Sequence, residues 1–366
     1  MIATKKIIIA TGGTGGHVLP AYSLAKYLDQ KNIKIKMTSD KRGIKYLKDN
    51  HKIEIININS STIFKNNLFK SFISFFIIFY SIIKSFFILF FEKPNLVIGM
   101  GGYSSFPVCL ASKLLRIPLI IYENNLFIGK TNKYLLPFVK KVLVSNSELE
   151  GIPKKYEKKV HQVGNLIREE IMNFNSTLSY NVEKDDLRIL ILGGSQAAKI
   201  FAEKLPSIFK RCVESNIRLK IFQQCLPEQN SILTSLYKDL KIKFEIFNFS
   251  NNIISYFSKI DLAITRAGSS MLAELSNANI PFISVPLPSS ADNHQLKNAM
   301  YYKKIGYSYL IEEKDIDNKM FNLIENISKN SNLLNEIKKK QNTYSDKSVY
   351  ENINNQILKV INHEKH

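Results

Sequence analysis

The chain has 366 residues, 45% of them hydrophobic, which exceeds one ordinary core and favours two domains. Its three cysteines form no CxxC pair and leave an odd count, which argues against a disulfide framework or a zinc ribbon and fits a reducing cytoplasm. The net charge of +20 is asymmetric: residues 1–165 carry 25 Lys and Arg against 9 Asp and Glu (+16), and residues 166–366 carry 26 against 22 (+4). Because compositional bias would act on both halves alike, the first half is expected to meet an anionic partner, either nucleic acid or an acidic membrane surface.

The first half alternates apolar strands with helical patterns. The opening "MIATKKIIIATGG" reaches glycine too early for a signal peptide and predicts a first strand over residues 5–11. A helical pattern follows in "LPAYSLAKYLDQKN", and further strands are predicted in "IKIKMTS", "KIEIININ", "PNLVIGMGG", "IPLIIYENN" and "KKVLVSN". Strands that alternate with helices in this way indicate a parallel sheet covered on both faces.

The same pattern restarts after Gly164. "LRILILGGSQAAKIFAEKL" repeats the strand, glycine turn and helix, and "RLKIFQQC", "IKFEIFNFS", "IDLAITRAGSS" and "IPFISVPLP" supply more strands. We therefore predict two doubly wound, Rossmann-like α/β domains, residues 1–164 and 165–344. Residues 345–366 are predicted to form a helix that packs back toward the first domain, with a frayed tail as the alternative.

Residues 68–91 are apolar enough to pass for a membrane span. They lie between two strands that share one predicted sheet, which favours a crossover helix over a spanning one. Lys70, Ser74, Ser81, Lys84 and Ser85 recur at helical spacing and predict a thin polar stripe. We expect part of the remaining arc to pack on the sheet and the rest, flanked by lysines in residues 65–93, to lie in the headgroup region of an anionic membrane. A wholly buried helix is the main alternative.

Three glycine-rich turns follow predicted strands: "GGTGGH" at 12–17, "GMGGYSS" at 99–105 and "GGSQAA" at 193–198. Glycine allows close backbone approach, and a helix N-terminus favours phosphate. Val18 breaks the G-x-G-x-x-G spacing and Asn124 breaks a P-loop, so neither a nicotinamide enzyme nor a Walker-type ATPase is favoured. The turns instead suggest a diphosphate substrate held in a cleft between the two halves.

The motifs "GGTGGHVLPA", "LVIGMGGYSSFPVCLAS", "IPLIIYENN", "GNLIR", "ILGGSQAA" and "TRAGSSMLAELSNANIPFISVPLPSSADNHQLKNA" occur in order from residue 12 to 299. Together they resemble the MurG family of peptidoglycan glycosyltransferases. The resemblance implies a GT-B fold of two Rossmann-like domains facing a cleft. It also implies metal-independent, inverting transfer of N-acetylglucosamine from UDP-N-acetylglucosamine to the C4 hydroxyl of muramoyl-pentapeptide lipid I, which gives lipid II.

An inverting transfer needs a base for the acceptor hydroxyl and a group that stabilises the departing diphosphate. His17 has the chemistry of a base and matches the family's loop histidine; it is predicted to be the base or to position the acceptor, and capping of the following helix is the structural alternative. The predicted acceptor-binding residues are Thr14, Gly15, Gly16, Gly101, Gly102 and Tyr103. By resemblance, the predicted donor-binding residues are Asn125, Arg168, Ser195, Gln196, Arg266, Glu274, His294 and Gln295. Of these, Ser195 and Gln196 contact the UDP phosphates, Arg168 neutralises their charge, and Glu274 accepts from the ribose hydroxyls.

The chain departs from the family pattern at Asn124, Ala197 and His294, which can shift donor affinity or sugar preference. No cofactor or metal is expected, and the pair Asp315 and Asp317 is interpreted as solvated charge. The alternatives are another GT-B enzyme with a different lipid acceptor and a basic nucleic-acid-binding protein, but no nucleic-acid module is recognisable. We expect a peripheral protein on the cytoplasmic face of the bacterial inner membrane, with cell-wall enzymes as possible partners.

Overall fold

The structure is a computed structural model that describes residues 5–47, 52–61, 68–174, 186–194, 198–248 and 252–363. The chain divides into two compact units. Unit 1 comprises Met1–Ile167 together with Asp346–His366, and unit 2 comprises Arg168–Ser345. The predicted divisions after residues 164 and 344 fall within a few residues of these.

Each unit contains one sheet whose paired strands all run parallel. The sheet of unit 1 has the order β3-β2-β1-β4-β5-β6-β7, and that of unit 2 has the order β10-β9-β8-β11-β12-β13. The strands are β1 Lys6–Ala10, β2 Lys34–Ser39, β3 Glu54–Asn57, β4 Leu96–Gly99, β5 Leu119–Glu123, β6 Lys141–Val144, β7 Val160–Gln162, β8 Leu187–Leu192, β9 Leu219–Gln224, β10 Lys243–Phe247, β11 Leu262–Thr265, β12 Phe282–Ser284 and β13 Ser308–Leu310.

Helices connect the strands in both units. They are α1 Gly15–Gln30, α2 Lys41–Ile44, α3 Leu68–Glu92, α4 Ser105–Leu114, α5 Lys130–Leu135, α6 Glu169–Met172, α7 Lys199–Glu214, α8 Asn230–Asp239, α9 Ile254–Phe257, α10 Ser269–Asn277, α11 His294–Lys304, α12 Ile316–Lys329, α13 Asn332–Gln341 and α14 Val349–His363. Parallel strands need such crossovers, because a tight hairpin cannot return the chain to the same end of the sheet.

The core of each unit lies between its sheet and the helices. In unit 1, one face of β1, β4, β5 and β6 packs with apolar side chains of α3, α4 and α5. In unit 2, β8, β9 and β11 pack with α7, α8 and α12. The central strands β4, β5, β8 and β11 are buried at nearly every position, as strands covered on both faces require. The short edge strands β7 ("VHQ") and β13 ("SYL") were not predicted from the sequence, because neither is a continuous apolar run like the one that contains β12.

The segment that leaves unit 1 is tied down within that unit. Tyr122 Oη donates to the carbonyl oxygen of Gly164 (3.1 Å) and accepts from the N–H of Leu166 (2.9 Å). Tyr350, on α14, donates to the carbonyl oxygen of Ile167 (2.7 Å). Burial raises the pKa of the Tyr122 hydroxyl, so it stays protonated and can keep donating.

Helix α3 is the crossover between β3 and β4, which share one sheet as predicted. It packs mainly on α4. Of the helices in the described part of the chain, α3 contains the one stretch, Ser71–Glu92, that is long and apolar enough to span a membrane by length and composition.

Candidate functional site

The sheet of unit 1 reverses its direction of winding between β1 and β4. The chain runs outward from β1 through β2 to β3, then returns to place β4 on the other side of β1. Open α/β sheets bind ligands in the crevice at such a point, beyond the carboxyl ends of the strands. The turns after β1 and β4 are the predicted turns that contain Thr14, Gly15 and Gly16 and Gly101, Gly102 and Tyr103.

These two turns pack directly on each other. A Cβ atom on Gly102, which has a φ of +78°, would lie 2.3 Å from the carbonyl oxygen of Gly12. A Cβ atom on Gly101 would lie 2.9 Å from Nδ1 of His17, so the imidazole ring rests against the backbone of the second turn. Ser104 Oγ, in the turn after β4, donates to the carbonyl oxygen of Thr11, directly after β1 (2.7 Å). This hydrogen bond joins the two turns. The structure therefore brings His17 together with both predicted acceptor turns.

The first turn leads directly into α1. Gly15 and Gly16 are the first residues of α1, Thr14 is its N-cap, and the Thr14 side chain makes no capping hydrogen bond. Backbone N–H groups at the start of a sixteen-residue helix carry a partial positive charge that suits an anion. Tyr103 is partly exposed in the second turn.

A buried carboxylate that the sequence analysis did not select organises the first turn. Asp40, at the end of β2, accepts from the N–H groups of Gly13 (2.9 Å) and Gly43 (3.0 Å) and pairs with Arg42. Burial alone would raise the pKa of Asp40, but these hydrogen bonds and the Arg42 charge outweigh it and lower that pKa. The N–H of Gly13 therefore points to Asp40, so the phosphate-binding prediction applies to the N–H groups that follow it.

The turn after β5 adds a third polar segment to unit 1. Glu123 is buried and accepts from Asn125 N (3.1 Å) and Nδ2 (3.0 Å), Gly129 N (2.9 Å) and Asn132 Nδ2 (2.9 Å). Asn124 Nδ2 donates to the carbonyl oxygen of Gly16 (3.3 Å), which joins this turn to the start of α1. The predicted donor residue Asn125 thus lies in unit 1, held by Glu123.

Unit 2 has the same arrangement, with the reversal between β8 and β11. Gly193 follows β8 and donates its N–H to Gln224 Oε1 (3.1 Å), while Ser195 and Gln196 lie outside the described residues. Arg266 follows β11 and is buried; it donates to the carbonyl oxygens of Val285 and Pro286 (both 3.3 Å).

The Arg266 guanidinium also pairs with Glu313 (2.5 Å) and lies over the Phe201 ring. Together with the bonds to Val285 and Pro286, these contacts tie the turn after β11 to the segments after β12 and β13 and to α7. Arg266 was predicted as a donor-binding residue, and in this structure its described partners all belong to unit 2 itself.

Two other predicted donor residues form a pair within unit 2. Arg168 Nε donates to Glu274 Oε1 (2.9 Å) and Arg168 Nη2 donates to Oε2 (2.7 Å). Burial would lower the pKa of the Arg168 guanidinium, but the Glu274 carboxylate raises it overall. Glu274 is in α10, the helix after β11, so the pair lies beside the reversal point of this sheet.

His294 and Gln295 begin α11 in the same unit. His294 Nδ1 lies 2.7 Å from the carbonyl oxygen of Ala291, a contact in which Nδ1 carries the proton. Gln295 Oε1 accepts from the N–H of Leu287 (2.9 Å), in the segment after β12. Asn298 Nδ2 donates to the carbonyl oxygen of Ala267, which anchors α11 to the turn after β11.

Helix α3 turns its aromatic side outward. Ser74, Ser81 and Ser85 are buried, whereas ten large apolar side chains are exposed: Phe72, Ile73, Phe75, Phe76, Phe79, Tyr80, Ile83, Phe87, Phe90 and Phe91. The alternative of a wholly buried helix is therefore wrong. The serines face inward because their hydroxyls find backbone partners, as when Ser81 donates to the carbonyl oxygen of Asn59 (2.6 Å) and Ser85 to that of Ser81 (2.6 Å).

The lysines predicted to flank α3 are only partly described. Lys65 and the side chain of Lys70 lie outside the described residues, while Lys84 and Lys93 are exposed. Lys113 lies on α4, the helix on which α3 packs. Burial lowers the pKa of Lys159, and the charges of Lys113 and Lys140 lower it further, which shows that these cations share one electropositive region.

No group of three or more His, Cys, Asp or Glu side chains suited to a metal ion occurs among the described residues. Asp315 and Asp317 pair with Lys319 and Lys204, respectively. The functional positions that the sequence analysis missed are Asp40, Glu123 and Ser104. Their signal was weak, because a carboxylate or hydroxyl after a strand has no distinctive spacing until the strand order is known.

Comparisons with known proteins extend across both units. Residues 7–144 match the model of the glycosyltransferase family 28 N-terminal domain, and residues 188–353 match that of the glycosyltransferase family 28 C-terminal domain. A Pelagibacter ubique protein named UDP-N-acetylglucosamine--N-acetylmuramyl-(pentapeptide) pyrophosphoryl-undecaprenol N-acetylglucosamine transferase is 37% identical over 366 residues, covering 98% of this chain and 99% of that protein. A Rickettsia canadensis protein of the same name is 33% identical over 332 residues, covering 88% and 91%. The crystal structure of Acinetobacter baumannii MurG has a TM-score of 0.77 at 28% identity, covering 97% and 99%.

Proposed function

Because this chain belongs to glycosyltransferase family 28, we propose that it transfers N-acetylglucosamine from UDP-N-acetylglucosamine to N-acetylmuramyl-(pentapeptide) pyrophosphoryl-undecaprenol, that is, lipid I, and so forms lipid II. The observation that carries the proposal is the 37% identity to a transferase of that name over 98% of the chain. The GT-B fold expected from the sequence is confirmed by the two parallel-sheet units and by the likeness to MurG. The names of the relatives favour this acceptor over a different lipid.

We place the acceptor diphosphate at the reversal point of unit 1. Support comes from the packing of the turns after β1 and β4, and from the start of α1 at Gly15 and Gly16. A helix N-terminus binds phosphate through its backbone N–H groups. Asp40 holds the N–H of Gly13 away from this position and so limits which donors meet the ligand.

His17 is proposed to take the proton from the C4 hydroxyl of the acceptor, or to position that hydroxyl, as the hydroxyl attacks the anomeric carbon of the donor sugar. Its position against Gly101, between the two acceptor turns, supports this role. A base within hydrogen-bond reach of the attacking hydroxyl contributes about 10²–10⁴-fold in rate. The pair Glu123 and Asn125, linked through Asn124 to the start of α1, borders the same turns.

The donor nucleotide is proposed to bind unit 2 at the reversal point between β8 and β11. The turn at Gly193 and Gly194 follows β8 and helix α10 follows β11, the two strands at that point. By resemblance, Ser195 and Gln196 are proposed to contact the UDP phosphates. Glu274 is proposed to accept from the ribose hydroxyls, and His294 and Gln295 to face the sugar. The bond to the anomeric carbon breaks as UDP leaves, and no metal ion is required for its departure.

The transfer proposal is tested with labelled UDP-N-acetylglucosamine and a short-chain lipid I analogue, in the absence of divalent metal. The unmodified protein should form the disaccharide lipid, and His17→Ala should lose about 10²–10⁴-fold in kcat. His161→Ala is a matched control, because His161 lies on the edge strand β7 of the same unit. Absence of transfer by the unmodified protein would contradict the proposed function, whereas full activity of His17→Ala would remove only the role of His17.

We also propose that the outward side of α3 lies in the headgroup region of an anionic membrane, at the cytoplasmic face of the bacterial inner membrane. The acceptor's undecaprenyl chain requires access to a bilayer. Ten exposed large apolar side chains on one helix form a patch that water solvates poorly. Lys84 on α3, Lys93 directly after it and the electropositive region around Lys159 supply the charge that attracts acidic lipids.

Vesicle flotation separates the apolar and electrostatic parts of this proposal. The protein should float with vesicles that contain phosphatidylglycerol and should float less with pure phosphatidylcholine, with the difference shrinking at high salt. Equal recovery with both vesicles would remove the electrostatic part. Failure to float with either would contradict membrane association.

We also propose that the protein associates with other cell-wall enzymes. Pull-down with those enzymes, from the same preparations, tests this.

A further inference from the structure

Arg168 and Glu274 form a two-point ion pair inside unit 2. Two parallel hydrogen bonds of 2.9 and 2.7 Å join the guanidinium to both carboxylate oxygens. The Glu274 side chain is 9% exposed and that of Arg168 is 21% exposed, so the pair is largely shielded from water. Such fork-to-fork pairs fix the orientation of a carboxylate as well as its position.

The pair joins two helices of unit 2. Arg168 is the N-cap of the short helix α6, and Glu274 lies near the middle of α10, against which α6 packs. Helix α10 follows β11, the strand beside β8 at the reversal point of the sheet. The orientation of the Glu274 carboxylate is therefore set by a residue more than one hundred positions earlier in the chain.

This geometry leaves the carboxylate suited to a diol. A carboxylate has two oxygens with about four acceptor positions, and the two bonds from Arg168 occupy one position on each oxygen. A second pair of donors can approach the remaining positions. The vicinal hydroxyls of a ribose are such a pair, and each would donate to one carboxylate oxygen.

The same geometry commits one edge of the Arg168 guanidinium, Nε and Nη2, to Glu274. To turn that edge to a phosphate, the guanidinium would have to leave Glu274, and a largely buried carboxylate would then lose its partner. Removing one partner of a buried ion pair is strongly unfavourable, because the other charge stays desolvated and uncompensated. A phosphate also would bring two negative groups to one arginine.

We propose that Arg168 is a positioning residue for ribose recognition, which acts on the donor nucleotide through Glu274 rather than by contact with its phosphates. The inference rests on the proposed function, in that it takes Glu274 as the acceptor of the ribose hydroxyls. It assigns to Arg168 a role different from the phosphate-neutralising one that the motif "GNLIR" suggested.

The test is a comparison of nucleotides by titration calorimetry on the full chain. The ligands are UDP, 2′,3′-dideoxy-UDP and UMP, and the variants are Arg168→Gln, Arg168→Lys and Glu274→Gln. For the unmodified protein, removing both ribose hydroxyls should weaken binding by about 10–100-fold. Arg168→Gln should weaken the binding of UDP and the binding of UMP by a similar factor of about ten. The affinity for the dideoxy nucleotide should change by less than about twofold. Arg168→Lys keeps the positive charge but not the two-point guanidinium geometry, so its affinity for UDP should lie between those of the unmodified protein and Arg168→Gln.

Arg188→Gln is the matched control. Arg188 pairs with Asp261 by the same two-point geometry (2.8 and 2.6 Å) at the amino ends of β8 and β11, which is the opposite edge of the same sheet. This variant should lower thermal stability and leave UDP affinity unchanged. If Arg168→Gln does not fold, Arg168→Lys carries the same comparison with a smaller expected effect.

Three outcomes would overturn the inference. Equal losses for UDP and the dideoxy nucleotide would show that Arg168 does not act through ribose recognition. A loss for UDP that is absent for UMP would assign Arg168 to the β-phosphate. An unmodified protein that binds UDP without discriminating the ribose hydroxyls would remove the role of Glu274. That last result would contradict the ribose inference without contradicting the transfer proposal. Conversely, a protein that discriminates UDP from the dideoxy nucleotide but transfers no sugar would contradict the proposed function alone.

Discussion

Asp40 accepts a hydrogen bond from the backbone N–H of Gly13 at 2.9 Å, so the first glycine turn is held by the carboxylate that directly follows the neighbouring strand β2. The same oxygen, Oδ1, accepts from Gly43 at 3.0 Å. One buried atom thus sets the start of α2 and the path of the turn that leads into α1. In many doubly wound folds the end of the second strand contacts a bound ribose; here it supports the protein's own backbone.

Replacing Asp40 by Ala is expected to destabilise the protein by about 1–3 kcal/mol at pH 7, because the partly buried N–H of Gly13 and the buried N–H of Gly43 lose their acceptor. The pKa of Asp40 is lowered in the folded state, so its stabilisation is complete above its ordinary pKa of about 4 and is lost as the pH falls through the lower folded value. Chemical denaturation at several pH values should show a stability loss as the pH falls below about 4, and that loss should be smaller in Asp40→Ala. An unchanged slope in the variant would contradict this assignment.

The contact between the two acceptor turns predicts a difference between two glycines with similar backbones. Gly102 and Gly13 have φ values of +78° and +86°, so alanine is strained at both. Only at Gly102 would the new Cβ also meet a backbone atom, the carbonyl oxygen of Gly12, at 2.3 Å. Thermal unfolding should therefore show Gly13→Ala losing about 1 kcal/mol and Gly102→Ala losing distinctly more. Equal losses would mean that the turns do not pack as described.

The sequence was sufficient to predict the repeated parallel-sheet pattern, because strongly apolar strands and glycine turns carry a local signal. It could not predict that Asp40 takes the N–H of Gly13, since that contact depends on β1 and β2 being neighbours. Of the predicted polar stripe of α3, Ser74, Ser81 and Ser85 are buried and Lys84 is exposed, because periodicity alone does not say which side of a helix turns inward. The serines are inside because their hydroxyls reach hydrogen-bond partners there, as Ser81 does at the carbonyl oxygen of Asn59.

Glu123 is expected to control the position of Asn125 rather than to exchange protons itself. It accepts from four donors of residues 125, 129 and 132, so all of its described partners belong to its own turn and the start of α5. Glu123→Gln replaces one acceptor oxygen by an amide donor facing other donors, and should destabilise unit 1 by about 1–3 kcal/mol.

In the transfer assay, Glu123→Gln should lower kcat and leave its pH profile unchanged in shape. Asn146→Ala is the control, because Asn146 lies in the turn after β6 and its described contact is a local bond to the N–H of Glu148. A shifted pH profile in Glu123→Gln would assign a proton-transfer role to Glu123 and contradict the positioning one.

The outward side of α3 predicts a membrane effect that can be separated from folding. Replacing Phe75, Phe79 and Phe87 by Ser removes three exposed rings, and vesicle partitioning should weaken by at least about tenfold, because each ring contributes apolar area to the bilayer contact. Thermal stability should change little, since exposed side chains contribute little to the core.

The matched control is Ile232→Ser, an exposed apolar residue on α8 of unit 2, which should leave partitioning unchanged. Ser85→Leu supplies the reverse case: it should destabilise the fold by about 1–3 kcal/mol by overfilling a buried contact. If the triple variant unfolds while Ser85→Leu is tolerated, α3 faces the other way and the membrane proposal fails.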